Sequence, residues 1–200
     1  MRIIGGSAAS LTLKVPQGLG VRPTPDLVRQ AIFNSLGDRV VGARVLELFG
    51  GSGALSLECL SRGATDATCV ELSPKHARYI DMNFNALGLS RACFPLRVQD
   101  VFTALPQLAA LGAQFDLIMA DPPFGEKNVG RRSTSLSQRL LDDELLPKLL
   151  AEGGRFVLGH TKRDTLTMTS AWNEVKELKH GDSLVCFLER AGSKQESAAQ

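Results

Sequence analysis

Apolar positions along this chain change spacing several times. "ARVLELF", "DATCVEL", "QFDLIMA" and "GRFVLGH" are short, nearly continuous apolar runs. Runs of that length predict strands buried on both faces. "ACFPLRVQD" predicts a further strand with an irregular start at Pro95. Between them the spacing is helical. "SGALSLECLSRG" offers Leu55, Cys59 and Leu60 to a core and stops at Gly63. "SPKHARYIDMNFNALGL" opens on Ser73 as cap and Pro74 in the first turn. "FTALPQLAALG" predicts a short helix with a break at Pro106, and "DDELLPKLLAEG" a later one.

The two ends have another rhythm. "IIGGSAASLTLKVP" reads as an N-terminal hairpin extension. "GVRPTPDLVRQAIFNSLGD" reads as a loop and then a helix, with Thr24 as cap, Pro25 in the first turn, and Leu27, Ala31, Ile32, Phe33 and Leu36 on one apolar side. "WNEVKELKHGDSLVCFLER" has no room for a crossover helix, so its two strands form an antiparallel hairpin turned at "HGD". Strands alternating with helices predict a three-layer α/β domain with a mostly parallel sheet. The expected organisation is an extension over 1–20, one domain over 21–190 and a disordered tail over 191–200.

Composition narrows the reading modestly. The 200 residues are 44% hydrophobic, enough for one well-packed domain. The formal charge is +2, which neither announces nor excludes a nucleic-acid partner. The first 40 residues are locally basic, with Arg2, Lys14, Arg22, Arg29 and Arg39 against Asp26 and Asp38. Cys59, Cys69, Cys93 and Cys186 lie among apolar residues and read as buried free thiols. No pair has metal-ligand spacing, and His76, His160 and His180 are far apart in sequence, so no metal site is expected. The start has no apolar segment of membrane-spanning length. A cytoplasmic protein without a membrane partner is the simplest expectation.

The candidate chemistry lies at strand ends. In "LELFGGSGALSLECL", Gly50, Gly51 and Gly53 follow a strand and open a helix, with Glu47 close by. No lysine of a phosphate loop follows, and the usual three-glycine dinucleotide fingerprint is absent. Glu71 at the end of the next strand can accept hydrogen bonds from a ribose diol. Asp100 after the third can bind an adenine amine beside Val101 and Phe102, or cap the next helix. In "FDLIMADPPFG" an acid is followed by two prolines and an aromatic ring. Asp121 and the Pro122 carbonyl can accept N–H bonds, neither Pro122 nor Pro123 offers a competing donor, and Phe124 can stack on a base.

In this order Glu47, the glycines, Glu71, Asp100 and "DPPF" resemble the class I S-adenosylmethionine-dependent methyltransferases. With "MRIIGG" and "VRPTPDLVRQAIFNSL" the chain more closely resembles the bacterial ribosomal RNA small subunit methyltransferase D family. That resemblance implies a Rossmann-like, seven-stranded sheet and methyl transfer from S-adenosylmethionine to the N2 amine of a guanine in 16S rRNA. It also implies an assembling or assembled small subunit as partner, and a monomer. Donor contacts are implied for Thr24, Glu47, Phe49, Gly50, Gly51, Gly53, Glu71, Leu72, Asp100, Val101 and Asp121. Asp121, Pro122, Pro123 and Phe124 would hold the target base. Arg2, Lys14, Arg22, Arg29, Lys127, Arg131 and Arg132 would meet RNA. Phe124 stands where the family frequently has tyrosine, and the segment after "MRIIGG" is less basic than is common there. N6-adenine or protein-glutamine methylation, or a non-catalytic RNA- or nucleoside-binding module, are the alternatives.

Overall fold

The computed structural model describes residues 1–16, 24–123, 128 and 131–192. Its centre is a seven-stranded sheet of order β3-β2-β1-β4-β5-β7-β6. The strands are β1 (Arg44–Leu48), β2 (Asp66–Glu71), β3 (Leu96–Val98), β4 (Phe115–Ala120), β5 (Leu150–Thr161), β6 (Trp172–His180) and β7 (Ser183–Arg190). β1 to β5 run parallel, and β7 is antiparallel to both β5 and β6. Gly181 and Asp182 make the expected turn between β6 and β7, with Gly181 at φ +58°.

Helices cover both faces. α1 (Asp26–Leu36), α2 (Ala54–Ser61) and α3 (Pro74–Leu87) bury Phe33, Leu57, Ile80 and Phe84 against one face. α4 (Val101–Ala110), α5 (Leu136–Asp142) and α6 (Leu146–Leu149) bury Leu105, Leu108, Leu140 and Leu146 against the other. Such a doubly wound sheet gathers the carboxyl ends of β1, β2 and β4 along one edge, beside the reversal of strand order between β1 and β4.

Several local expectations need correction. α4 runs through Pro106 without a break. Asp100 caps its start, and Val101, Ala104, Leu105 and Leu108 are buried, which offsets the lost backbone bond. Thr24 does not cap α1; Pro25 occupies that position and Asp26 opens the helix. Leu27 is 68% exposed, whereas Arg29 on the same helix is fully buried. The later helix expected over Asp142 to Gly153 is only the short α6, α5 ends where that helix was expected to begin, and Leu150 to Gly153 already belong to β5. Cys59, Cys69 and Cys186 are buried, but Cys93 is half-buried.

The N-terminal extension closes through a single antiparallel bridge, Arg2 to Thr12, rather than a ladder of strands. It is stitched to the body from below. The Glu58 carboxylate accepts the Ile4 and Gly5 N–H groups, both at 2.8 Å, and the Arg62 Nε–H at 2.8 Å. Among the described residues, no helix is long and apolar enough to cross a membrane.

Candidate active site

The chain leaves β1 through a strained turn. Phe49 is at φ +62°, a rare value for a residue with a Cβ, and Gly51 and Gly53 follow at +57° and +76°. Gly50 is required for another reason. A Cβ there would lie 2.4 Å from the Cys69 sulfur of β2. Gly53 precedes α2 and brings no capping side chain. Glu47 fills that role from β1, its carboxylate accepting from Leu55 N–H at 3.3 Å and Ser56 N–H at 3.0 Å. Burial pushes the Glu47 pKa up to about 7, against the hydrogen bonds from Ser56, Leu55 and Cys69.

Glu71 ties the turn to the end of β2. Its carboxylate accepts from Gly51 N–H and Ser73 N–H, each at 2.7 Å. His76 Nδ1 stands 3.4 Å from the same group. A carboxylate has about four lone-pair sites, so these bonds leave acceptor capacity toward the cleft. Asp100 accepts from Phe102 N–H at 2.9 Å and Thr103 N–H at 3.2 Å while also bordering the cleft. Capping and ligand contact are compatible for this residue. Phe102 instead lies beneath the Arg139 guanidinium, 3.8 Å from ring centroid to Cζ.

Together these groups border one cleft of about 450 Å³. Phe49, Gly50, Gly51, Leu72, Val101, Pro122 and Pro123 complete much of its wall, with Met1 and Ser52 at the side of the N-terminal extension. Gly53 supplies backbone curvature but no wall. Thr24 and Asp121 lie on the border between this cleft and a second, mostly apolar cavity of about 30 Å³. Pro25, Val28, Ile32, Val157, Gly159 and Val185 line that smaller space.

Asp121 is the hinge of the arrangement. Its Oδ2 accepts a short hydrogen bond from the Thr24 hydroxyl. Burial raises the Asp121 pKa above the usual carboxylate range, and the Thr24 bond partly opposes the rise. Its other oxygen faces Gly159 of β5, where an added Cβ would lie only 2.6 Å away. Gly159 was not among the expected site residues. Its signal was a glycine inside the apolar run "RFVLGH", a position that marks close approach of another group.

Asn83 also acquires a place. Its side-chain oxygen accepts Lys14 N–H at 2.7 Å, and its amide donates to Lys14 O at 2.8 Å and Ser52 O at 2.9 Å. The residue is buried, and it fastens the N-terminal extension to the glycine turn.

The residues expected to meet RNA differ in their exposure. Arg2, Lys14, Arg131 and Arg132 are exposed, although Arg132 pairs with Asp142 at 2.6 Å. Arg29 is a correction. It is fully buried, and its guanidinium donates to Arg2 O at 2.6 Å and Asp26 at 2.7 Å, with Glu58 at 3.6 Å. It holds the extension rather than a phosphate. Arg22, Phe124 and Lys127 lie outside the described residues.

Another convergence was not anticipated from the scattered histidines and cysteines. His160, Glu177 and Cys186 bring one ligand-type atom each within 4.8 Å of the others. Burial first, and then Glu174 and Glu177, push the Cys186 thiol up to about 12.

Known proteins place this architecture. The family model described as "Conserved hypothetical protein 95" matches residues 1–189. The ribosomal RNA small subunit methyltransferase D of Escherichia coli K12 is 40% identical over 124 residues, which are 62% of this chain and 60% of that protein. The match thus spans less than two thirds of that relative. Its Haemophilus influenzae namesake is 33% identical over 68% of this chain and 69% of its own. Among solved structures, the Thermus thermophilus hypothetical protein TTHA0928 superposes with a TM-score of 0.76 at 30% identity, over 94% of this chain and 99% of that one. The chain therefore belongs to the Conserved hypothetical protein 95 family and to the ribosomal RNA small subunit methyltransferase D group that its sequence motifs resemble.

Proposed function

We propose that the cleft binds S-adenosylmethionine and that Asp121 presents the N2 amine of a guanine in 16S rRNA of the small ribosomal subunit to the donor methyl group. The observation that carries this reading is the position of Asp121 on the wall common to a large acid-lined cleft and a small apolar cavity. Glu71 would take the ribose diol, Asp100 the adenine amine, and Leu72 and Val101 the flat face of the adenine. The carboxylates also suit a cationic ligand. Glu47 would act on the methionine end chiefly by fixing the start of α2. When bound, the donor supplies an electrophilic methyl group on a sulfonium.

A guanine N2 amine is a weak nucleophile because its lone pair is spread into the ring. The protein's work is therefore alignment, with the reacting atoms about 3–3.5 Å apart. Asp121 accepts one amine hydrogen and the Pro122 carbonyl the other. Two successive prolines remove backbone donors that would compete for the Asp121 carboxylate. Thr24 and Gly159 fix where that carboxylate points. The positive charge that develops on the amine favours an ionised Asp121, and the proton leaves through this group or to solvent. Phe124 would stack on the base, which must be drawn out of its helix to arrive. Arg2, Lys14, Arg131 and Arg132, with Arg22 and Lys127, would contact phosphates and make binding salt-sensitive.

Methyl transfer to small-subunit particles from a strain lacking this protein, followed by nucleoside analysis, tests the proposal. N2-methylguanosine is the expected product. N6-methyladenosine would overturn the base assignment, and donor binding without transfer to any ribosomal RNA would overturn the enzymatic one. Asp121→Asn is expected to lower donor-saturated turnover by about 100-fold or more while leaving donor affinity nearly unchanged.

A further inference from the structure

β5, β7 and β6 bring three chemically different side chains to one place. Cys186 on β7 pairs directly with Glu177 on β6 and with Leu158 on β5. His160 is two residues beyond Leu158, so it shares the Cys186 face of the sheet. The Cys186 sulfur and His160 Nε2 are 3.5 Å apart, and both residues are buried. Glu177 is half-buried and reaches in from the neighbouring strand. Glu174 also lies against the thiol.

We propose that His160, Cys186 and Glu177 form a binding site for a zinc-type divalent cation, outside the large cleft although His160 also borders the small cavity beside Asp121, that clips together the last three strands of the sheet. Three observations support it. First, zinc bonds of about 2.3 Å to sulfur and 2.0–2.1 Å to nitrogen, set tetrahedrally, separate the two ligand atoms by about 3.5 Å. That is the separation present here. Second, His160 is already oriented. Its Nδ1 lies 3.1 Å from Thr161 O and 3.2 Å from Asp164 O. An Nδ1–H donated to a backbone carbonyl leaves the Nε2 lone pair directed at the sulfur, the outer-shell arrangement of a metal-binding imidazole. Third, the remaining donors are of the right kind and only partly engaged. Lys179 Nζ pairs with Glu177 Oε1 at 2.9 Å, which leaves Oε2 for a cation. Glu174 or a water would fill the fourth position. Borderline imidazole, thiolate and carboxylate together favour zinc over magnesium or calcium. Binding expels the Cys186 thiol proton to solvent, so no oxidant or reductant is required.

The site does not rest on the methyl-transfer reading, and its test is separate. Metal-stripped full-length protein is titrated with Co2+. One equivalent is expected to bind, with a thiolate-to-cobalt charge-transfer band and the intense visible bands of a four-coordinate ion, both removed by Zn2+. Cys186→Ser should abolish the charge-transfer band, and Glu177→Gln, at the half-buried edge, should weaken Co2+ binding by about 10-fold or more. Cys93→Ser, at the half-buried cysteine elsewhere, should leave the titration unchanged. Far-ultraviolet circular dichroism identifies any variant that has lost its fold. Absence of the band in the folded parent protein, or its survival in folded Cys186→Ser, overturns the assignment and leaves an S–H to imidazole hydrogen bond in its place.

Discussion

Thr24 shows how one hydroxyl can oppose the rise in a buried carboxylate's pKa. It lies 97 residues from Asp121 in sequence and donates directly to it. Burial raises the Asp121 pKa and this bond lowers it. Thr24→Val keeps the shape but removes the donor, so the pKa must rise further. If the ionised carboxylate is the working form, the acid limb of the turnover profile moves to higher pH. Thr24→Ser should leave that limb in place. A pH profile of donor-saturated turnover that is the same in Thr24→Val and the parent would refute the coupling. The neighbouring constraint is steric. Gly159→Ala places a methyl 2.6 Å from Asp121 Oδ1, and the carboxylate is the easier group to displace. Turnover should fall by about 100-fold with little change in circular dichroism, since a misplacement of about 1 Å at a reacting group costs on that order. The "DPPF" corner and the glycines were legible in the sequence because their backbone chemistry is local. Thr24 and Gly159 were not read as partners of Asp121, because that relation exists only once α1 and β5 are packed beside β4.

At the scale of elements, the sheet and its flanking helices followed closely from apolar spacing, capping and turn chemistry. Ser73 accepts the His76 N–H as its position before Pro74 suggested. Departures arose where tertiary burial overrode a local rule, as at Pro106. α2 is the clearest case of support from outside an element. All eight of its residues are buried, and its missing cap is supplied by Glu47. This has a pH signature. The ordinary glutamate value is about 4.3 in an unfolded chain, and the folded value is about 7. Between those limits the folded state holds an extra proton, so this group's contribution to stability falls as pH rises. Relative to Glu47→Gln, the parent protein should lose on the order of 3 kcal/mol between pH 4 and pH 8. Urea unfolding of both proteins across that range checks the sign. A constant difference would show that Glu47 ionises as freely in the fold as outside it.

Across the whole molecule, the N-terminal extension is part of the body. Glu58 is fully buried, binds two of its backbone N–H groups and faces both Arg29 and Arg62. Removing one partner from such a buried charge cluster costs about 3–5 kcal/mol. Glu58→Ala should therefore lower stability by that amount in urea unfolding, and limited proteolysis should cut first near residues 1–16. Loss of less than about 1 kcal/mol, the cost of an exposed ion pair, would show that Glu58 is not the anchor. The positive charge of the N-terminal region had suggested Arg29 as a phosphate ligand; charge counting does not distinguish a solvated arginine from a buried one. Asn83 carries the same union of extension and body to the cleft, and does so with a sense of direction. One end of its amide must accept and the other must donate twice. Asp, almost identical in shape, would turn a carboxylate toward the carbonyls of Lys14 and Ser52. At this position the isosteric replacement is thus a reversal of polarity, and the seam between the first residues and the glycine turn reads hydrogen-bond sign rather than size.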